Sequence, residues 1–323
     1  MIVSFVERRI RELEQFSAPQ TSQEDLGEFW DETLRTAAER PLHDRRVAEE
    51  SLSPHMDVYK VTYEGYDDTP IHGWYLLPRF AMPAAGKGLP CLVMYHGYHG
   101  SKGYPEQYAA WLMMGYAVFA IDVRGQSGET GNLLAQRHGK TAGWMTQGLL
   151  DPRGCYYQAI TVDAIRAVEW AAAQPEVDAS RIIVMGGSQG GGLALITGAL
   201  SDIPSQVVAD VPNMCHMDYG IYHSQGSLTE AAAFVSRQPE HLETVLRTLS
   251  YFDMINLVGR LTVPTFVSAS LKDPICMPET IFAFYNRLEA PKQMQIYPFN
   301  GHTTSGDHLR QQLTFIRKHD RLS

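Results

Sequence analysis

Long apolar runs are missing from this chain of 323 residues. The most apolar stretch, Tyr116 to Val123, has the length of a strand, whereas a membrane-spanning helix needs about eighteen or more apolar residues in succession. No membrane span is expected. Cysteine is scarce: Cys91, Cys155, Cys215 and Cys276 lie far apart with no CxxC pair, which signals neither a zinc site nor a disulfide framework. They are expected to be reduced residues filling the interior. Basic residues are outnumbered, 27 Lys+Arg against 36 Asp+Glu for a net charge of −9, and they form no cluster. A nucleic-acid partner is therefore not expected, because phosphate binding needs a basic face. Internal repeats and low-complexity tracts are absent too. With 44% hydrophobic and 20% charged residues the chain is neither disordered, collagenous nor a coiled coil. The start, MIVSFVERRIRELEQF, carries Glu7, Arg8 and Arg9 where a signal peptide needs its apolar middle, so a cytoplasmic address is expected.

What is present is an alternation of strand-like and helix-like segments. Leu26, Phe29, Trp30 and Leu34 recur at helical spacing opposite Glu24, Asp25, Glu28, Asp31 and Glu32, which predicts a helical extension over residues 1–55. MDVYKVTYEG and IHGWYLLPRF, separated by DDTP, read as a hairpin, and AMPAAGKGLP as a flexible loop. LPCLVMYHG reads as a strand buried on both faces. There follow a helix from Pro105 to Met114, the strand GYAVFAIDV, a long loop from Arg124 to Pro152 and a helix from Tyr156 to Ala173. RIIVMGG, QVVADVP, VPTFVSAS and QMQIYPF are further strands. SQGGGLALITGAL, PETIFAFYNRL and Asp307 to His319 are further helices. This order demands a mostly parallel central sheet with helices on both faces, in a single α/β domain over 1–323. The rhythm breaks only over residues 213–257, long enough to cap the sheet edge.

The sharpest local signal is Gly186-Gly187-Ser188-Gln189-Gly190, a GxSxG between an uninterrupted strand and a glycine-rich helix. That setting is what a nucleophile elbow requires: the serine sits in strained backbone, and Gly186 and Gly190 leave room for the neighbouring strand and helix. Neither phosphate-binding pattern, GxGxxG nor GxxxxGK[ST], can be aligned here. A serine hydroxyl needs a base and the base an orienting carboxylate, in the chain order Ser, Asp or Glu, His. Asp273 follows one strand end and His302 the next. Asp210, Asp218 and Asp253 are rival acids; His308 is the rival base, expected on the surface of the last helix. Backbone N–H groups of Gln189 and Tyr98 are the candidate oxyanion donors. His96 and His99 could be read as a metal pair, but no acidic or thiol partner stands nearby, so no metal is expected.

At this point the chain resembles the acetyl xylan esterase and cephalosporin C deacetylase family, carbohydrate esterase family seven. Arg124-Gly125-Gln126 matches the family's Arg-Gly-Gln and Gly186–Gly190 its GxSQG, while its third signature, His-Glu, is departed from: Thr303 follows His302. DLGEFWDETL, IHGWYLLP, MYHGYHG, GWMTQGLLD, YYQAITVDAIRAVEW and YFDMINLVGRLTVPTFVSASLKD extend the likeness along nearly the whole chain. The resemblance implies an α/β-hydrolase fold and a cytoplasmic serine esterase that deacetylates small substrates, acetylated xylo-oligosaccharides or cephalosporins, without a cofactor. It implies Ser188, Asp273 and His302 as the triad, Tyr98 and Gln189 as the oxyanion hole, and Arg124 as a structural residue holding loops at the active site. It further implies a homohexamer with active sites facing an inner chamber. Competing readings are another hydrolase on the same scaffold, a peptidase or lipase, and a non-catalytic ligand receptor.

Overall fold

Nine strands of the computed structural model, which describes residues 4–81, 88–139 and 142–320, pair into one sheet. Two helices precede it. In α1 (Phe5–Glu14) Ser4 Oγ accepts from Glu7 N–H and the Glu7 carboxylate accepts from Ser4 N–H, a reciprocal cap that satisfies two donors at the helix start. In α2 (Leu26–Glu39) the apolar stripe read from the sequence is buried, with Trp30 donating its indole N–H to Tyr251 O at 2.9 Å. The expected helical extension stops there. Arg45–Glu49 is a strand, β1, on the sheet edge, and its mostly exposed, charged residues carry no apolar period; backbone pairing with the next strand decides its state.

The hairpin forms as expected from β2 (Met56–Glu64) and β3 (Pro70–Pro78). The loop expected at AMPAAGKGLP lies largely outside the described residues. Then come β4 (Leu89–Tyr95), α3 (Ala109–Met113), β5 (Ala117–Ile121), α4 (Tyr156–Ala172), β6 (Val177–Gly187), α5 (Gln189–Leu200) and β7 (Pro204–Asp210). The segment from Asn213 to Leu257 holds four helices, α6 (Met217–His223), α7 (Leu228–Arg237), α8 (Leu242–Ser250) and α9 (Met254–Leu257). The chain closes with β8 (Thr265–Ser270), α10 (Pro278–Tyr285), β9 (Lys292–Tyr297) and α11 (His308–His319). None of the described helices is long and apolar enough to cross a membrane.

Strand order is β1-β2-β3-β5-β4-β6-β7-β8-β9, antiparallel from β1 to β5 and parallel from β5 onward. Side chains of each central strand alternate between two apolar layers. Leu92, Val118, Ile183, Val208 and Phe266 pack against Trp111, Leu112, Phe315 and Ile316, whereas Cys91, Val93, Phe119, Val184 and Val207 face the larger layer that includes α4 and α5. Helix α4 is buried almost all round rather than on one face, because α2, β2 and the β2–β3 turn cover its outer side. The chain leaves β4 toward β5 and returns to β6 on the other side of β4. The loops after β4 and β6 therefore diverge and leave a crevice, the place where open α/β sheets bind ligands.

One buried ion pair bolts this arrangement together. Arg124, fully buried in the loop after β5, places Nε 2.6 Å from Asp163 Oδ2 and Nη2 2.8 Å from Asp163 Oδ1 on α4, and Nη1 2.9 Å from Asp67 Oδ1 in the β2–β3 turn. Asp163 Oδ1 also accepts from Tyr66 N–H at 2.9 Å. Removing one partner of such a pair strands the other charge in the interior. Arg124→Ala is expected to destabilise the fold by about 3–5 kcal/mol, read as a lower urea midpoint; a shift below about 1 kcal/mol would show that the pair carries no such weight.

Candidate active site

Ser188 joins β6 to α5 with φ 56° and ψ −120°, a left-handed conformation that a serine adopts only when its surroundings hold it there. The restraint is visible. Ser188 N–H donates to Asp210 O at 2.9 Å, and Ser188 O accepts from Gly192 N–H at 3.0 Å and Asn213 N–H at 2.9 Å. A methyl group at Gly190 would overlap the Tyr95 carbonyl of β4, and one at Gly186 would overlap both that carbonyl and Gly190. These are the two glycines that the motif demands, and the reason is this close approach of backbone to backbone.

Asp273 and His302 meet as the sequence order predicts. His302 Nδ1 lies 2.7 Å from Asp273 Oδ2, while Asp273 Oδ1 accepts from Ile275 N–H at 2.8 Å and Cys276 N–H at 3.0 Å. The carboxylate is thus fixed by its own turn and accepts the Nδ1 proton, leaving Nε2 as the basic nitrogen. The rival acids are engaged elsewhere. Asp210 pairs with His308 and Gln312, Asp218 with His216, and Asp253 accepts from His216, Met217 and Ile255 N–H groups. His308 is not on the surface as expected: it is buried, with Nδ1 2.7 Å from the Tyr297 hydroxyl and Nε2 2.6 Å from Asp210 Oδ1. Its place on the buried stripe of α11 with Gln312, Phe315 and Ile316 was available in the helical spacing.

Ser188, His302, Tyr98, His99, Gln225, Ser227, Glu230 and Ile275 line one cavity of about 330 Å³ at the crevice, with the α6–α7 connection and α7 forming its outer wall. Ser188 Oγ lies 3.9 Å from Cys276 Sγ and, among the described residues, makes no hydrogen bond to His302. The loop after β4 runs beside the serine: a Cβ on Gly97 would sit 3.5 Å from Ser188 Cβ. Gln189 opens α5, so its N–H has no acceptor within the helix. His96 is structural, its Nε2 accepting from Val123 N–H at 2.8 Å and its Nδ1 bonded to Gly97 O at 2.8 Å; burial lowers its pKa and keeps it neutral. Both ring nitrogens are occupied. Among the described residues no cluster of His, Cys, Asp and Glu is placed to hold a metal.

The two matching motifs touch. Gln126 Nε2 donates to Gln189 Oε1 at 2.7 Å and to the Tyr156 hydroxyl at 2.9 Å, and that hydroxyl donates to Arg124 O at 2.7 Å. Gly125 supplies the turn between them with φ 73°. Thr303 ties the His302 loop to the end of β8 through its backbone, its carbonyl accepting from Ser270 Oγ at 2.7 Å. Cys276, Asp163, Tyr156 and Glu230 belong to the site or its supports but carry no local sequence signal, since only the folded chain brings them there.

The acetyl xylan esterase (AXE1) family matches residues 3–319. This chain belongs to that family. The acetyl xylan esterase from Paenibacillus sp. R4 superposes with a TM-score of 0.91 at 39% identity, covering 96% of this chain and 99% of that one. Acetyl xylan esterase 1 from Thermoanaerobacterium sp. JW/SL YS485 superposes at 0.89 with 25% identity, over 96% and 98%. Acetyl esterase Axe7A of Xylanibacter ruminicola is 28% identical over 176 residues, which span 54% of this chain and 39% of that longer relative.

The acetyl xylan esterase fold of this chain secures its crevice with a second charged cluster. Asp122, at the end of β5, accepts from Lys102 N–H at 2.7 Å, Lys102 Nζ at 2.8 Å and Glu129 N–H at 2.8 Å, and Lys102 Nζ and Lys60 Nζ each lie 2.6 Å from the Glu129 carboxylate. Those hydrogen bonds hold the Glu129 carboxyl down to about 2 from its ordinary 4.5. A depressed carboxyl stabilises the fold above its unfolded pKa and loses that contribution as pH falls toward the folded one. Glu129→Gln is therefore expected to lower Tm near neutral pH, with the gap from the unaltered protein narrowing as pH drops from about 5 toward 3. A gap independent of pH would show that the cluster acts by packing alone.

Proposed function

We propose that this protein is a serine carboxylesterase that removes acetyl groups from small acetylated carbohydrates through an acetyl-serine intermediate. The observation that carries the reading is His302, bonded to buried Asp273, sharing a cavity with a serine held in left-handed backbone. Ser188 Oγ attacks the ester carbonyl as His302 Nε2 takes its proton, and Asp273 holds the imidazole in the required tautomer. The N–H groups of Gln189 and Tyr98 stabilise the tetrahedral oxyanion. The protonated His302 then gives its proton to the departing alcohol, and water repeats the sequence on the acetyl-enzyme, returning acetate and free Ser188.

The alcohol half of the substrate meets a polar wall, with Gln225, Ser227, Thr229 and Glu230 on the cap side, which suits the hydroxyl groups of a sugar. Xylo-oligosaccharide acetates are the substrate class that this lining and the family membership favour; cephalosporins are the second class the reading includes. A cytoplasmic setting agrees with four buried free thiols, and a homohexamer with an inner chamber is the assembly that the resemblance suggests.

Initial rates on p-nitrophenyl acetate and peracetylated xylobiose, with Ser188→Ala as the comparison, test the reading. The substitution is expected to reduce kcat by about 10⁴-fold or more while leaving the circular dichroism spectrum and Tm unchanged. Turnover that survives the substitution, or an unaltered protein that releases no acetate from either ester, would overturn it.

A further inference from the structure

Tyr98 is gripped at its far end. Its phenol oxygen accepts from Trp144 N–H at 2.8 Å and Met145 N–H at 3.1 Å, and donates to Glu230 Oε2 at 2.7 Å. Both lone pairs and the hydroxyl proton are thereby used, and the bond to a carboxylate is of the stronger, charge-assisted kind. Three segments meet at this one oxygen: the loop after β4, the long loop after β5 and helix α7 of the cap. The long loop comes so close that a methyl group at Gly143, which has φ 70°, would overlap the Glu230 carboxylate. Only glycine permits that approach. The Tyr98 ring also packs edge-on against His99 and Trp144, with centroids 4.6 and 5.3 Å away. A ring so held has little freedom about its two side-chain torsions, and its backbone inherits the restraint.

We propose that Glu230 is a positioning residue for ester hydrolysis: by clamping the Tyr98 phenol from the cap, it keeps the Tyr98 N–H aimed at the oxyanion. This rests on the esterase reading and on Tyr98 as an oxyanion donor. The cap then sets the competence of the site as well as covering it. A donor of this kind acts on charge that exists only in the transition state, so losing its alignment lowers kcat and leaves KM largely alone.

The test compares Glu230→Ala, Glu230→Gln, Tyr98→Phe and the double variant Glu230→Ala/Tyr98→Phe on p-nitrophenyl acetate, with kcat expressed per site titrated by a fluorophosphonate. Glu230→Ala is expected to lower kcat about tenfold or more with KM within about twofold, part of the 10²–10³ that one oxyanion donor supplies. Tyr98→Phe should match it, and the double variant should be no slower than the slower single, because one clamp is broken in all three. Glu230→Gln, whose amide oxygen can still accept the phenol proton, should recover most of the rate. Inhibition by a boronic acid, which mimics the tetrahedral intermediate, should weaken in step with kcat. A purely structural role would lower Tm and the titrated fraction while leaving kcat per site unchanged, and that result overturns the proposal. Additive losses in the double variant overturn it as well. Were the unaltered protein neither labelled nor active on the acetate, the esterase reading itself would fall, and this proposal with it.

Discussion

The close approach of Gly190 to the Tyr95 carbonyl is the constraint on which the rest of the molecule depends. It forces β6 to turn into α5 within a single residue, and that residue, Ser188, is left with φ 56°. Strain of this order, about 1–3 kcal/mol, persists only where neighbours over-determine the geometry. Here the Asp210 carbonyl and the N–H groups of Gly192 and Asn213 do so. The same approach aligns the end of β4 with the end of β6, Tyr95 opposite Gly186, and so places the Tyr98 loop and the first N–H of α5 at one crevice. The turn at Ser188 and the approach of the Tyr98 loop thus share one packing contact.

Around that contact the polar interior is arranged as linked clusters. Arg124 joins the β2–β3 turn to α4, Asp122 and Lys102 join the loops after β4 and β5, and Gln126 joins the loop after β5 to Gln189. Burying charge is costly, and the Arg124 and Asp122 clusters offset the cost by pairing opposite charges and filling carboxylate lone pairs with backbone N–H groups. Their common effect is on the loops. Buried Val123, Met145 and Leu149 anchor the long loop after β5 in the core, and the directional bonds tie the polar parts of both loops to rigid strands and helices.

Much of this could be read along the chain. Strands that are apolar on both faces, such as Leu89–Tyr95, and helices with one apolar stripe, such as Leu26–Glu39, announce themselves because burial selects composition. The GxSxG was legible for the same kind of reason, since backbone contact allows only glycine. Arg45–Glu49 was not legible as a strand: an edge strand whose side chains face solvent needs no apolar period. His308 was misplaced because a histidine reads as polar, and only the Tyr297 and Asp210 partners across the sheet make its burial tolerable.

The amino-acid sequence by itself determined the order of the elements apart from the edge strand Arg45–Glu49, the glycine-flanked turn at Ser188, the order of Ser188, Asp273 and His302, and the family. These depend on local periodicity, on glycine at close contacts and on residue order, all of which are one-dimensional. Tertiary structure alone decided what holds Arg124, that Cys276 lies beside Ser188, that Asp210 pairs with a buried His308, and that Glu230 reaches Tyr98 from 132 positions away. Those are pairings between distant segments, and a hydrogen bond between them leaves no mark on the neighbours of either residue in the chain.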